Sequence, residues 1–125
     1  MLVADDGATH VVDWTQIAVT DPRFDVAWTE LLLSMAIDPA AASTFRAEYE
    51  RQTNQLTDMT FFETAAAIKR LFSISVSLQA GPEALGMRPE AADAMRRDLQ
   101  TLAIPYETLR TNAELTIPEI ERLIS

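Results

Sequence analysis

Two aspartates near the amino terminus, Asp13 and Asp25, are the side chains whose position in the sequence indicates chemistry. Asp13 follows the apolar pair Val11-Val12 and precedes Trp14 and a loop. A carboxylate at the end of a buried strand can bind a hard cation such as Mg²⁺, although carboxylates at strand ends are more often structural. The spacing alone leaves open whether Asp13 is a metal ligand or ends a turn.

The segment after this loop carries the signals that start a helix. Asp21 precedes Pro22, the arrangement of a capping carboxylate followed by a proline at the first helical position. Apolar residues then recur at helical spacing up to Met35, with Asp25 in the first turn. We therefore expect Asp21 to be the N-cap of a helix that carries Asp25.

The composition limits the classes of protein to which the chain can belong. Its 125 residues are 48% hydrophobic, which fits one folded domain. The net charge of −9 argues against nucleic acid or an anionic membrane as a partner, because both require a basic surface. There is no cysteine and one histidine, which excludes disulfides and multi-histidine metal sites. No signal peptide is visible, and we expect a cytoplasmic protein.

The turn and apolar patterns predict a mainly α fold with a β-hairpin at the amino terminus. Asp5-Asp6-Gly7 between two β-prone runs indicates a hairpin over residues 1–14. A helical subdomain of five or six helices is predicted over residues 21–125. The whole chain, residues 1–125, is expected to form a single domain.

Several helix boundaries can be placed in this subdomain. Helices are expected to begin at Asp21-Pro22, Asp38-Pro39, Thr57-Asp58 and Pro89. The third is the candidate central helix, because its apolar residues cover several faces. Pro105 is expected to kink or break the fourth, because proline removes a backbone donor and clashes with the preceding turn. A last short helix is expected after Thr116-Ile117-Pro118.

The block Val11-Val12-Asp13-Trp14, followed by Asp21-Pro22-Arg23-Phe24-Asp25-Val26-Ala27, resembles the aminoglycoside phosphotransferase and choline kinase-like family. These are small-molecule kinases with a protein-kinase-like fold, and the resemblance covers their C-terminal helical portion only. In that family the Asp of the apolar-apolar-Asp-Trp motif binds Mg²⁺ together with the nucleotide phosphates. The resemblance implies that Asp13 is the metal ligand. It also implies that Asp25 is a buried structural support of the catalytic loop.

Apart from Asp13, the groups that the family uses for phosphoryl transfer do not occur in these 125 residues. A His-Gly-Asp catalytic loop is expected just before Leu2, and neither it nor a Gly-rich loop with a phosphate-pairing lysine is present. We therefore expect no catalytic residue here, but a C-terminal fragment of an ATP-dependent kinase acting on a small molecule. Alone, it is expected to be inactive and to bind neither Mg²⁺ nor ATP tightly.

Two alternatives to an inactive kinase fragment are a helical binding or scaffold module and a half-enzyme completed in trans by another chain. If the chain is a truncated kinase, the apolar surface that would pack against the missing loop and lobe is expected to be exposed. Such patches are usually covered by a partner. We therefore expect self-association, through the edge of the first strand, or a complementing chain.

Each of the remaining candidate side chains has a possible functional role and a plain interpretation, in which it is only structural or solvent-exposed. His10 could approach the cation or face solvent as a strand residue. Trp14 and Trp28 are better explained as core or lid aromatics than as a ligand cage. Four acidic residues could line a groove for a polyamine-like substrate, although a solvated face is favoured: Glu30, Glu48, Asp58 and Glu63.

Overall fold

The computed structural model describes residues 2–10 and 19–125. Within these ranges the chain is mainly helical, with six α-helices: α1 (Pro22–Ala36), α2 (Pro39–Gln52), α3 (Met59–Ala80), α4 (Pro89–Arg97), α5 (Ala103–Ala113) and α6 (Pro118–Ile124). Two 3₁₀ turns, Pro82–Leu85 and Leu99–Leu102, join α3 to α4 and α4 to α5. The predicted mainly α class with five or six helices is confirmed.

Residues 2–10 contain two paired segments, β1 (Leu2–Val3) and β2 (Thr9–His10), which run antiparallel with Leu2 opposite His10. In the turn between them, the backbone N–H of Ala8 donates to Asp6 Oδ1 at 2.9 Å, and Gly7 has a φ of +82°. That left-handed conformation suits glycine, which has no Cβ to clash. Two residue pairs are too few to establish the hairpin expected over residues 1–14, which therefore stays a prediction.

Carboxylates begin the first two helices as the sequence indicates. Asp21 Oδ1 accepts the backbone N–H of Arg23 at 3.0 Å, and Asp38 Oδ1 accepts that of Ala41 at 2.7 Å. Asp58 precedes α3 but has a φ of +56° and forms no capping hydrogen bond. The third helix thus begins where the sequence places it, without the side-chain cap.

The chain around Pro105 differs from the expectation. α4 ends at Arg97, and α5 begins at Ala103, so Pro105 lies in the first turn of α5. Proline is tolerated there, because the first N–H groups of a helix have no partner within the helix. The prediction that Pro105 breaks a helix is therefore wrong, and the interruption lies at Asp98, where the chain leaves α4.

Two hydrophobic clusters form the core, and α3 contributes to both. One lies between α1, α2 and α3 and has as its buried members Val26, Ala27, Leu31, Met59 and Ala66. The other lies between α3, α5, α6 and the second 3₁₀ turn and includes Leu71, Ile74, Leu102, Tyr106, Leu109 and Ile120. This supports the expectation of a central third helix, since α3 packs against both α1 and α5.

One face of α3 is nevertheless exposed. Phe61, Ile68, Phe72 and Val76, which we call the α3 stripe, expose 71%, 49%, 69% and 41% of their surface. They follow one another at intervals of seven, four and four residues, so they lie along one side of the helix. The sequence counts these residues toward a helix surrounded by core, but the described residues leave this side uncovered. No described helix is long and apolar enough to cross a membrane.

Tyr106 fastens the carboxy-terminal helix to the rest of the bundle. It is 3% exposed, its hydroxyl donates to Glu121 Oε1 at 3.0 Å, and it accepts the backbone N–H of Ile117 at 2.9 Å. Ile117 precedes α6 and Glu121 lies within it. One hydroxyl therefore holds both the start and the middle of α6.

Replacing Tyr106 with phenylalanine is expected to destabilise the fold by about 1–2 kcal/mol, because the two hydrogen bonds of a buried hydroxyl are lost. Urea unfolding followed by circular dichroism measures this change. The matched control is Tyr49→Phe, since the half-buried Tyr49 hydroxyl forms no hydrogen bond with the described residues. Equal losses in the two variants would contradict the role given to Tyr106.

Candidate functional site

The two aspartates singled out by the sequence have different outcomes. Asp13 and Trp14 lie outside the described residues, so the metal-ligand role of Asp13 stays a prediction. Asp25 lies in the first turn of α1, where the helix dipole favours a negative charge. Its side chain is exposed and forms no hydrogen bond with a described residue, whereas the resemblance implies a buried support.

The residues around Asp25 have clear structural roles. Val26 and Ala27 are each 2% exposed and belong to the cluster between α1, α2 and α3. Asp21 caps α1. Of the two carboxylates in this motif, one therefore serves the helix itself, and the other is presented to the outside of the described part of the chain.

Arg23 connects the start of α1 to the segment before α3. Its Nε and Nη2 donate to the two carboxylate oxygens of Asp21 at 3.0 and 2.8 Å, and its Nη1 donates to the backbone oxygen of Thr57 at 3.1 Å. The guanidinium carbon lies 4.5 Å from the ring centre of Phe62. Side-chain and then backbone hydrogen bonds from Arg23 lower the pKa of Asp21 to about 2.

The ion pair of Asp21 predicts a defined pH dependence of stability. An unfolded aspartate has a pKa of about 3.9, and the folded pKa of Asp21 is about 2. The charged form therefore stabilises the fold above pH 4, and this contribution is lost as the pH falls toward 2. Asp21→Asn keeps a capping side chain but removes the charge. Its melting temperature is expected to fall below that of the wild type at pH 7 and to match it near pH 2.

Thermal unfolding monitored from pH 7 to pH 2 provides the measurement for Asp21→Asn. Asp5→Asn is the matched control, because it removes the same charge from an exposed position that caps no helix and forms no ion pair within the described part of the chain. A difference between Asp21→Asn and the wild type that persists unchanged at pH 2 would rule out the ion pair as its cause.

Arg46 joins the first three helices. Its Nε donates to Glu30 Oε1 on α1 at 2.8 Å, its Nη2 donates to Glu30 Oε2, and Nη2 also donates to Glu63 Oε1 on α3 at 3.0 Å. The Arg46 and Glu30 side chains are only 22% and 17% exposed. The hydrogen bond to Glu30 raises the pKa of Arg46. The three charged side chains thus form one partly buried network, in which Arg46 of α2 links α1 to α3.

The acidic residues proposed for a polyamine-like substrate do not converge on one groove. Glu30 and Glu63 share Arg46, and Glu48 is bound by Arg51 within α2 at 2.6 Å. The Asp58 side chain is 88% exposed and lies 4.0 Å from Arg23. Their charges are therefore largely matched within the described residues. Glu48 and Asp58 are exposed, as the plain interpretation of a solvated face expects, whereas Glu30 and Glu63 belong to the network of Arg46.

Trp28 also has a structural role. It is half-buried, and the ammonium of Lys69 lies 4.5 Å from its ring centre and 5.5 Å from that of Phe24. A cation at this distance is attracted by the electron-rich face of the ring. The contact holds α3 against α1. The side chain of His10 is not among those described.

Sequence reasoning missed a cleft of about 600 Å³ between α1, α3, α4 and the second 3₁₀ turn. Its polar lining includes Arg70, Ser73 and Ser77 of α3, and Asp98. The signal in the sequence is Arg70 followed by Ser73 and Ser77 at intervals of three and four residues, which places the three side chains on one side of α3.

Among the described residues, no three histidine or acidic side chains are grouped so that they could hold a metal ion. Comparison of the chain with known protein families, with curated proteins and with solved structures finds no match.

Proposed function

We propose that these residues are the C-terminal helical part of an ATP-dependent small-molecule kinase of the aminoglycoside phosphotransferase and choline kinase-like type. The observation that supports this proposal is that the residues of the motif from Asp21 to Ala27 have different roles. Asp21 caps α1 and Val26 and Ala27 enter the core, whereas Asp25 is exposed and has no hydrogen-bond partner among the described residues. A catalytic loop packed on the start of α1 would be such a partner.

The proposal gives the two aspartates different functions. Asp13 is the Mg²⁺ ligand, acting with the nucleotide phosphates, and Asp25 positions the catalytic loop through hydrogen bonds. In this proposal the metal is held by Asp13 together with groups from the rest of the enzyme. Phosphoryl transfer needs several converging groups, and this chain alone is therefore inactive.

The proposed fold is the C-terminal lobe of a protein-kinase-like enzyme, with a hairpin over residues 1–14 leading into the helices. In this arrangement the helical bundle is a rigid support for the strand end that carries Asp13. The partly buried network of Arg46, Glu30 and Glu63 fixes α1 against α2 and α3, which keeps the start of α1 at a defined place.

The coding sequence ahead of Met1 tests this origin directly. We expect it to continue in frame and to encode a His-Gly-Asp loop with an asparagine five residues after the aspartate. In that longer protein, Asp13→Asn and Asp25→Asn are expected to abolish and to strongly reduce ATP-dependent phosphorylation, respectively. Asp58→Asn, an exposed aspartate at the start of α3, is the matched control. An in-frame stop with no such loop would contradict the proposal.

The isolated chain offers a second test of the same proposal. Calorimetric titration with ATP and Mg²⁺ is expected to give no binding heat at micromolar protein, because one carboxylate without the nucleotide lobe cannot hold the complex. Tight binding by the isolated chain would show a competent nucleotide site within these residues and would overturn the assignment as an incomplete lobe.

A helical binding module or a half-enzyme completed in trans is the second candidate, and the α3 stripe favours it. Two of its four residues are phenylalanines about 70% exposed. The three charged residues of α3 lie elsewhere: Glu63 binds Arg46, Lys69 faces Trp28, and Arg70 lines the cleft. An uncharged apolar strip on a chain of net charge −9 is suited to an apolar partner surface, and a second copy supplies one.

We therefore expect the chain to self-associate through the α3 stripe. Sedimentation velocity over increasing protein concentration should show a species larger than a monomer, and Phe61→Ser combined with Phe72→Ser should restore the monomer. Leu85→Ser with Leu115→Ser is the matched control, since these leucines are 59% and 49% exposed and do not belong to the α3 stripe. A wild-type monomer at every concentration would contradict this expectation.

A further inference from the structure

The cleft beside α3 combines apolar walls with one charged side chain. The cleft has a volume of about 600 Å³, and its apolar lining includes Met35 of α1, Ile74 of α3, Met95 of α4 and Leu99 of the second 3₁₀ turn. Cavities of roughly 300–1,000 Å³ accommodate small organic ligands. Methionine side chains adapt to ligands of different shape, because their thioethers are flexible and polarisable. The cleft therefore has the size and the lining of a small-molecule site.

Arg70 is the distinctive polar group of this cleft. Its Nε is shielded from solvent and has no hydrogen-bond partner among the described residues. The ion pairs within the described part of the chain use other arginines: Arg23, Arg46, Arg51, Arg96, Arg110 and Arg122. A shielded N–H without an acceptor is unfavourable, and burial lowers the pKa of Arg70. An anionic group in the cleft beside the guanidinium would offset the burial of this charge.

The other polar groups of the cleft restrict the charge of that acceptor. The hydroxyls of Ser77 and Thr101 donate to backbone oxygens of their own turns at 2.9 and 2.6 Å, so they are already used. Asp98 adds a carboxylate to the lining, and the whole chain has a net charge of −9. Both repel a multiply charged anion. A single carboxylate is compatible with one guanidinium beside this acidic background.

We propose that the cleft binds a small amphipathic monocarboxylate, with its carboxylate on Arg70 and its aliphatic body between Met35, Ile74 and Met95. The ligand class is an unbranched aliphatic acid. This site is separate from the start of α1, and the inference rests on the described residues and not on the kinase proposal.

Titration of the intact chain with decanoate and with decanol, below the concentrations at which they aggregate, tests the proposal. We expect decanoate to bind about tenfold or more tightly than decanol, because only the carboxylate accepts from Arg70. In NMR spectra the shifts should concentrate on the methyl groups of Met35, Ile74 and Met95. Equal affinity for the two probes, no binding of decanoate, or shifts centred on the α3 stripe would overturn the proposal.

Two variants test the site residue by residue. Arg70→Gln should weaken decanoate binding about tenfold and leave decanol binding unchanged, whereas the exposed Arg97→Gln should alter neither. Ala91→Trp, at an exposed position of the lining, should block both probes by filling the cleft. Decanoate binding that survives either Arg70→Gln or Ala91→Trp undiminished would also overturn the proposal. If Arg70→Gln does not fold, the comparison of probes on the wild type still decides.

Discussion

The close approach of α1 and α5 to α3 is the packing constraint on which the rest of the structure depends. Ala66 and Ala67 have no exposed surface, and they lie in the middle of the 22-residue helix α3. Small side chains allow neighbouring helices to come near without voids, since protein interiors are packed as densely as organic crystals. Because α3 is a wall of both hydrophobic clusters, larger residues here would disturb both at once.

Arginine side chains then fix the angles at which the helices meet. Arg46 binds carboxylates from α1 and α3, and Arg23 joins the start of α1 to the segment before α3. Exposed ion pairs contribute little to the free energy of unfolding, and partly buried ones offset their Coulomb energy by loss of hydration. In this protein the main effect of these ion pairs is on the geometry of helix packing, because a planar guanidinium can donate hydrogen bonds to only a few arrangements of its acceptors.

This geometry explains why only one of the two aspartates in the motif, Asp21, has a structural role within the described residues. α1 is anchored by its cap, by Val26 and Ala27 and by Arg46, so the first turn is held in place without any contribution from Asp25. An exposed carboxylate on a fixed helix start is available to a further segment of a larger fold. The cleft at Arg70 lies at the other half of α1 and between different elements, so the two features are chemically independent.

The sequence by itself determined the helical class and the carboxylate caps at Asp21 and Asp38, because these depend on neighbouring residues along the chain. It also indicated that the acidic residues of α1, α2 and α3 need not form a site. Only the tertiary structure decided that Pro105 lies inside a first turn, that one side of α3 stays uncovered and that Arg70 lines a cleft. Those features depend on contacts between residues that are distant in the sequence and meet only when the helices pack. Local residue spacing does not predict such contacts.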